Sequence, residues 1–243
     1  MHRSTLIALL IPLLMLTAAM AYRYFSNDSI GQMQQTGSYY SARVEMTIHE
    51  NIAALQELGI DATSVEDKMI ESFASFPAEI IDSMDAEQIN GMILTNIDWL
   101  LYSDESAEPS TEPRQFFCFD MECMELEHMY TIFVNSVAEI AGDDLVFTDI
   151  QEDTSQVDYD SGTGVQTISF QCNGKAYQYN AVVYNDWFDV GMLTFMNDVI
   201  SEQSSDKHLY VTSDGYQTCI VFCRTKDWAA RLKKSTGIIL EQP

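Results

Sequence analysis

The 243-residue chain is 47% hydrophobic, enough to bury a sizeable core and to exclude disorder throughout. Its 37 Asp and Glu against 12 Lys and Arg give a formal net charge of -25, which repels nucleic acid and anionic lipid headgroups alike. That charge leaves a basic protein, divalent cations or plain solubility as its uses.

The first 21 residues, MHRSTLIALLIPLLMLTAAMA, have a positive start at His2 and Arg3, an apolar run from Leu6 and small residues at Ala19 and Ala21. This is the pattern of a secretory signal, cleaved after Ala-Met-Ala or kept as a single-helix membrane anchor. No cysteine stands beside it to carry a lipid. Residues 22–39, rich in Gln, Ser and Gly, read as a polar tether.

From 40 to 102 apolar residues recur at helical spacing: Val44, Ile48, Ile52 and Leu55, then Val65, Met69, Phe73 and Phe76, then Ile89 to Leu101. Gly59 is expected to stop the first helix, Ser64 to cap the second and Asp85 to cap the third. The segment 103–114, with its acids and prolines, reads as a linker between this helical part and an α+β domain at 115–243. In that domain Gln115 to Phe119 is expected as a strand, Glu122 to Ala141 as a helix, and Leu145 to Ile150 as a strand. Residues 151–164, QEDTSQVDYDSGTG, read as an acidic loop.

Two stretches of equal length, FQCNGKAYQYNAVVYNDW (170–187) and VTSDGYQTCIVFCRTKDW (211–228), carry Asn-Gly or Asp-Gly at the same place and end on Asp-Trp. Such doublets suit two-residue hairpin turns with positive φ at both positions. The turns would pair Ile168 with Tyr179 and Phe170 with Tyr177 in the first hairpin, and Leu209 with Ile220 and Val211 with Thr218 in the second. Each hairpin is followed by a helical segment, with Asp186 and Asp227 as N-caps. The reading is a duplicated ββα unit at 166–200 and 207–237, in an α+β fold with helices packed on one face of an antiparallel sheet.

Chemistry is sparse. Beyond the leader the histidines are His49, His128 and His208, none in a zinc signature, and no nucleophile elbow, phosphate loop or dinucleotide fingerprint is present. No cofactor is expected. Glu125 and His128, three apart on a helical face, are the candidate catalytic pair, although such a face is usually just solvated. Asp158 and Asp160 are the candidate metal ligands; the third oxygen and late Glu of a helix-loop-helix calcium site are missing, with Gly162 and Ser169 in those places.

Five cysteines, Cys118, Cys123, Cys172, Cys219 and Cys223, make an odd set without Cys-x-x-Cys, most simply read as small buried residues. The C-terminal cations Arg224, Lys226, Arg231, Lys233 and Lys234 suit a helix end. Two sheet faces are candidate binding surfaces: Gln171 and Gln178 on the polar side of the first hairpin, and His208, Tyr210, Cys219 and Val221 on the far side of the second. The expectation is an exported, non-catalytic acidic protein, secreted or held at a membrane through its N-terminal segment, that sequesters a basic protein as an immunity factor does. An extracytoplasmic hydrolase with a dispersed site and a structural cell-surface module are the rivals.

Overall fold

A computed structural model describes residues 33–102, 113–122, 127–203 and 205–243. The chain divides into two units, Met1–Arg43 and Val44–Pro243, and the second holds both sheets. The expected leader, Cys123 and Glu125 lie outside the described residues, as does most of the expected linker. Among the described residues no helix is long and apolar enough to cross a membrane.

Helix α1 (Met33–Glu57) starts within the stretch read as a tether. From Val44 on, it buries Ile48, Ile52 and Leu55, the stripe that 3.6-residue spacing sets. It ends at Gly59, at φ 85°, where Gly59 N–H donates to Gln56 O and Ile60 N–H to Leu55 O, a Schellman closure that favours glycine. A single 3-10 turn, Thr63–Val65, leads into α2 (Glu66–Ala74), which buries Met69 and Phe73. Asp61, and not Ser64, fixes that start: its carboxylate accepts the Thr63 N–H and hydroxyl. After Pro77 come α3 (Ala78–Ser83) and α4 (Ala86–Tyr102). Asp85 caps α4 in a reciprocal box with Gln88, at 2.9 and 3.1 Å.

Beyond the linker lie β1 (Phe117–Asp120), α5 (Met129–Ala141), β2 (Phe147–Asp158), β3 (Thr163–Cys172), β4 (Lys175–Tyr184), α6 (Gly191–Glu202), β5 (Lys207–Ser213), β6 (Thr218–Thr225) and α7 (Lys226–Thr236). The fold is α+β, with two three-stranded antiparallel sheets in place of the one expected: sheet I in the order β1-β6-β5 and sheet II in the order β2-β3-β4.

The duplicated unit is not seen. In the first hairpin Asn173 and Gly174 both have positive φ and the pairing is the expected one, Ile168 with Tyr179 and Phe170 with Tyr177. In the second only Gly215 does; Asp214 accepts the Tyr216 N–H, the connection is Asp214–Gln217, and the register moves by three so that Val211 faces Val221. The hairpins also belong to different sheets. Their Asp-Trp pairs differ: Trp228 is buried and donates Nε1–H to Leu58 O at 2.9 Å, whereas Trp187 is half-buried in a turn beside Tyr184. The helix starts are set by other residues than Asp186 and Asp227: Thr225 Oγ1 accepts the Trp228 N–H, and Asp189 Oδ1 accepts the Gly191 N–H.

The residues read as an acidic loop are mostly strand. Gln151 to Asp158 belongs to β2, broken by register shifts between Thr148 and Gln151 and between Asp153 and Gln156, and only Tyr159 to Gly162 turn. The expected helix from Glu122 is seen as α5 from Met129. The core lies where the inner face of sheet II, α5, α6 and one face of sheet I meet, around Phe133, Ile168, Phe170, Met196, Leu209 and Val221. The other face of sheet I carries Ile220 and Phe222, both fully buried, and packs on α4 and α7. Phe116 stacks on Phe222 at 5.1 Å between centroids, and Trp228 approaches it at 5.4 Å.

Candidate binding face

Sheet II has one face in the core and one in water, as period-two alternation requires. Ile168, Phe170 and Cys172 of β3, and Ala181 of β4, point inward and are buried. The residues between them form five rows across the three strands. Asp158, Thr163 and Tyr184 make the row nearest the Tyr159–Gly162 turn, followed by Gln156, Val165 and Val182, then Asp153, Thr167 and Asn180. Gln151, Ser169 and Gln178, then Thr148, Gln171 and Ala176, complete it toward the Asn173 turn. The two glutamines singled out in the sequence therefore share one face.

That face is polar and carries no cation: Lys175, the one basic residue on the three strands, lies at the far end and on the opposite side. Its amides and hydroxyls are partly tied to each other. Gln171 Nε2 donates to Asp149 Oδ2 at 2.8 Å, and Asn180 Oδ1 accepts from Thr167 Oγ1 at 3.0 Å and from Gln178 Nε2 at 3.2 Å. Backbone and hydroxyl donors hold the two acids of the face ionised. The Ser155 N–H lowers the Asp153 carboxyl from its ordinary range, and the Ser161 hydroxyl and N–H lower that of Asp158.

The inner side is pegged by polar residues that substitute for missing backbone partners. Glu152, inward from β2, accepts the Tyr130 and Thr131 N–H groups at 3.3 and 2.8 Å and so places a carboxylate on the N-terminus of α5, where the helix dipole favours it. At the other end of α5, Lys207 Nζ donates to Ala141 O at 2.7 Å and pairs with Asp144. Asp189 Oδ2 accepts the Tyr179 hydroxyl and the Val182 N–H, both at 3.0 Å, while Tyr130 Oη accepts the Asp189 N–H. Burial, with Asp189 adding to it, pushes the Tyr179 phenol up to about 12; Tyr130 is pushed up as well, chiefly by burial. Both remain neutral hydrogen-bonding groups. Lys175, Tyr177 and Glu202 join β4 to the end of α6 in the same way.

The other sequence candidates fall elsewhere. His128 is exposed at the foot of α5, where its carbonyl accepts the Ile132 N–H; its expected partner Glu125 is outside the described residues. Asp158 and Asp160 are exposed, and Asp158 Oδ1 is occupied by the Asp160 and Ser161 N–H groups, an Asx turn. Among the described residues no group of three His, Cys, Asp or Glu is placed to hold a metal ion.

The second binding set is divided by the three-residue shift of register. Cys219 and Val221 point into the core beside Leu209 and Val211. His208 and Tyr210 lie on the opposite face of sheet I, which packs on α4 and α7. His208 Nδ1 and Tyr210 Oη are buried there without a hydrogen-bond partner.

Sequence reasoning passed over Val165, Val182, Tyr184 and, Asp158 apart, the β2 residues of the outer face. The signal for the first three was present, because extending the Asn173-Gly174 register to its end places Val165 opposite Val182 and Thr163 opposite Tyr184. The expected strand at Leu145 to Ile150 covers the start of β2, but for the rest of β2 there was no such signal: its inward Glu152 is as polar as its outward neighbours. No protein-family model, no curated protein and no solved structure matches the chain, so its reading rests on this geometry.

Proposed function

We propose that the chain is an exported, acidic, non-catalytic binding protein that sequesters a basic protein, with the outer face of sheet II as its contact surface. The observation that carries this reading is a broad, open sheet face without a cation, on a chain of net charge -25, backed by a fixed core. Electrostatic complementarity would speed encounter and reject acidic partners. The 1–21 segment supports export, and retention of that segment would hold the protein at a membrane.

The test is affinity capture with the full-length chain from cell-surface extract. A partner rich in Lys and Arg, held at about 20 mM salt and released near 0.5 M, is the expected result. Recovery of proteins without a basic bias, or retention indifferent to salt, would contradict it.

A further inference from the structure

The outer face of sheet II is not uniform. In the two rows at the Asn173 end five of the six side chains are amides or hydroxyls, whereas at the Tyr159–Gly162 end Val165 and Val182 are direct cross-strand partners and Tyr184 follows on the same face. Val182 is 65% exposed and Tyr184 68%. Acids surround them. Asp158 shares the row of Tyr184, Asp160 lies in the adjoining turn, and Asp186 lies in the turn tied back to Gly162 O by the Asn185 N–H at 2.7 Å. All three are exposed.

We infer that Val165, Val182 and Tyr184 form the anchor of the binding surface, seating an apolar side chain of a cationic protein while its flanking lysines and arginines meet Asp158, Asp160 and Asp186. The inference rests on the binding-protein reading above and names where and how it binds. An exposed tyrosine beside aliphatic residues within a polar rim has the make-up of an interface centre. Charge decides the occupant. A second copy would bring a net charge of -25 against the same acids, and the chain's own 103–112 segment holds Asp104, Glu105, Glu108 and Glu112 and no cation. Only a basic partner gains from both the apolar centre and the rim.

Two synthetic peptides of equal charge test this against the full-length chain, one alternating Lys and Leu and one alternating Lys and Ser, with binding read by fluorescence anisotropy. The Lys-Leu peptide is expected to bind about tenfold more tightly at low salt. The double substitution Val182→Ser with Tyr184→Ser should remove that advantage and leave Lys-Ser binding as it was; Asp158→Asn should weaken both. Ala176→Ser at the other end of the face is the control and should change neither.

Equal affinity for the two peptides, or an advantage that survives the double substitution, overturns the anchor and leaves the acidic binder standing. No binding of either peptide at low salt overturns both. Self-association of the free chain that the double substitution abolishes would assign the patch to a second copy and overturn the cationic occupant.

Discussion

Asp98 is 3% exposed, and burial pushes its carboxyl up from the ordinary range while Arg114 draws it back down. The guanidinium is bidentate, Nε to Oδ1 at 3.0 Å and Nη2 to Oδ2 at 2.9 Å, and the Cys118 N–H adds a third donor at 3.0 Å. Arg114 also lies over the rings of Tyr102 and Phe117 and reaches Glu139 at 3.4 Å, so one side chain joins α4, β1 and α5. Desolvating two charges is costly, and the pair is worth most as a whole. Asp98→Asn leaves the buried cation only the exposed Glu139 as counter-ion and is expected to cost about 3–5 kcal/mol in urea unfolding. Adding Arg114→Met removes both charges and keeps an acceptor for the Cys118 N–H. The double variant should therefore be more stable than Asp98→Asn alone, and strictly additive losses would refute the coupling.

Elements in this fold close their edges with side chains borrowed from neighbours. β1 uses Asp98 at Cys118, β4 uses Asp189 at Val182, and β5 uses Asn197 of α6. Asn197 is 5% exposed; its Oδ1 accepts the Leu209 N–H at 2.7 Å and its Nδ2 donates to Leu209 O at 3.2 Å, as a paired strand would. Val211, two residues on, exchanges both backbone bonds with Glu241 at 2.8 Å. Asn197→Ala strands a buried donor and acceptor and is expected to cost about 1–3 kcal/mol, against less than about 0.5 for Asp198→Ala on the exposed side of α6. Native-state hydrogen exchange should show the Leu209 amide losing protection, and an unchanged Leu209 would remove Asn197 from this role.

The same borrowing sets what the sequence revealed. The Asn173-Gly174 turn was legible because its two positive φ angles are a local demand that local residues meet. The Asp214-Gly215 turn was not, since its shape is imposed by α4: a side chain at Gly91 would run into the Asp214 backbone, and Gly215 abuts Gln88. Helical stripes and the Gly59 stop were readable for the same reason as the first turn. β2 beyond Ile150 was hidden because the partner of its inward Glu152 is a helix end brought to it only by folding.

For the whole molecule the dominant fact is charge. Compacting a chain of net charge -25 brings like charges together, so the folded state of this protein is opposed by its own field at neutral pH and low salt. Among the described residues, ion pairs such as Lys175 with Glu202 and Lys207 with Asp144 are largely exposed, and exposed pairs contribute little. Screening should consequently raise stability: Tm at pH 7 is expected to climb by several degrees between about 10 and 300 mM NaCl. Lowering the pH relieves the repulsion as the net charge approaches zero near the isoelectric point of about 4.1. Asp61, Asp144, Asp153, Asp158 and Glu202 act the other way. Their carboxyls are held below the ordinary range, so their stabilisation is present above the unfolded carboxylate value and is lost as the pH falls through the folded one. The two trends cross, and calorimetry should find the highest Tm between about pH 5 and 6, with the salt effect shrinking toward pH 4. A Tm that falls with added salt at pH 7 would mean that the ion pairs outweigh the net charge. It would equally weaken the case that this acidity awaits a basic partner, because a field already neutralised within the fold has little left to offer one.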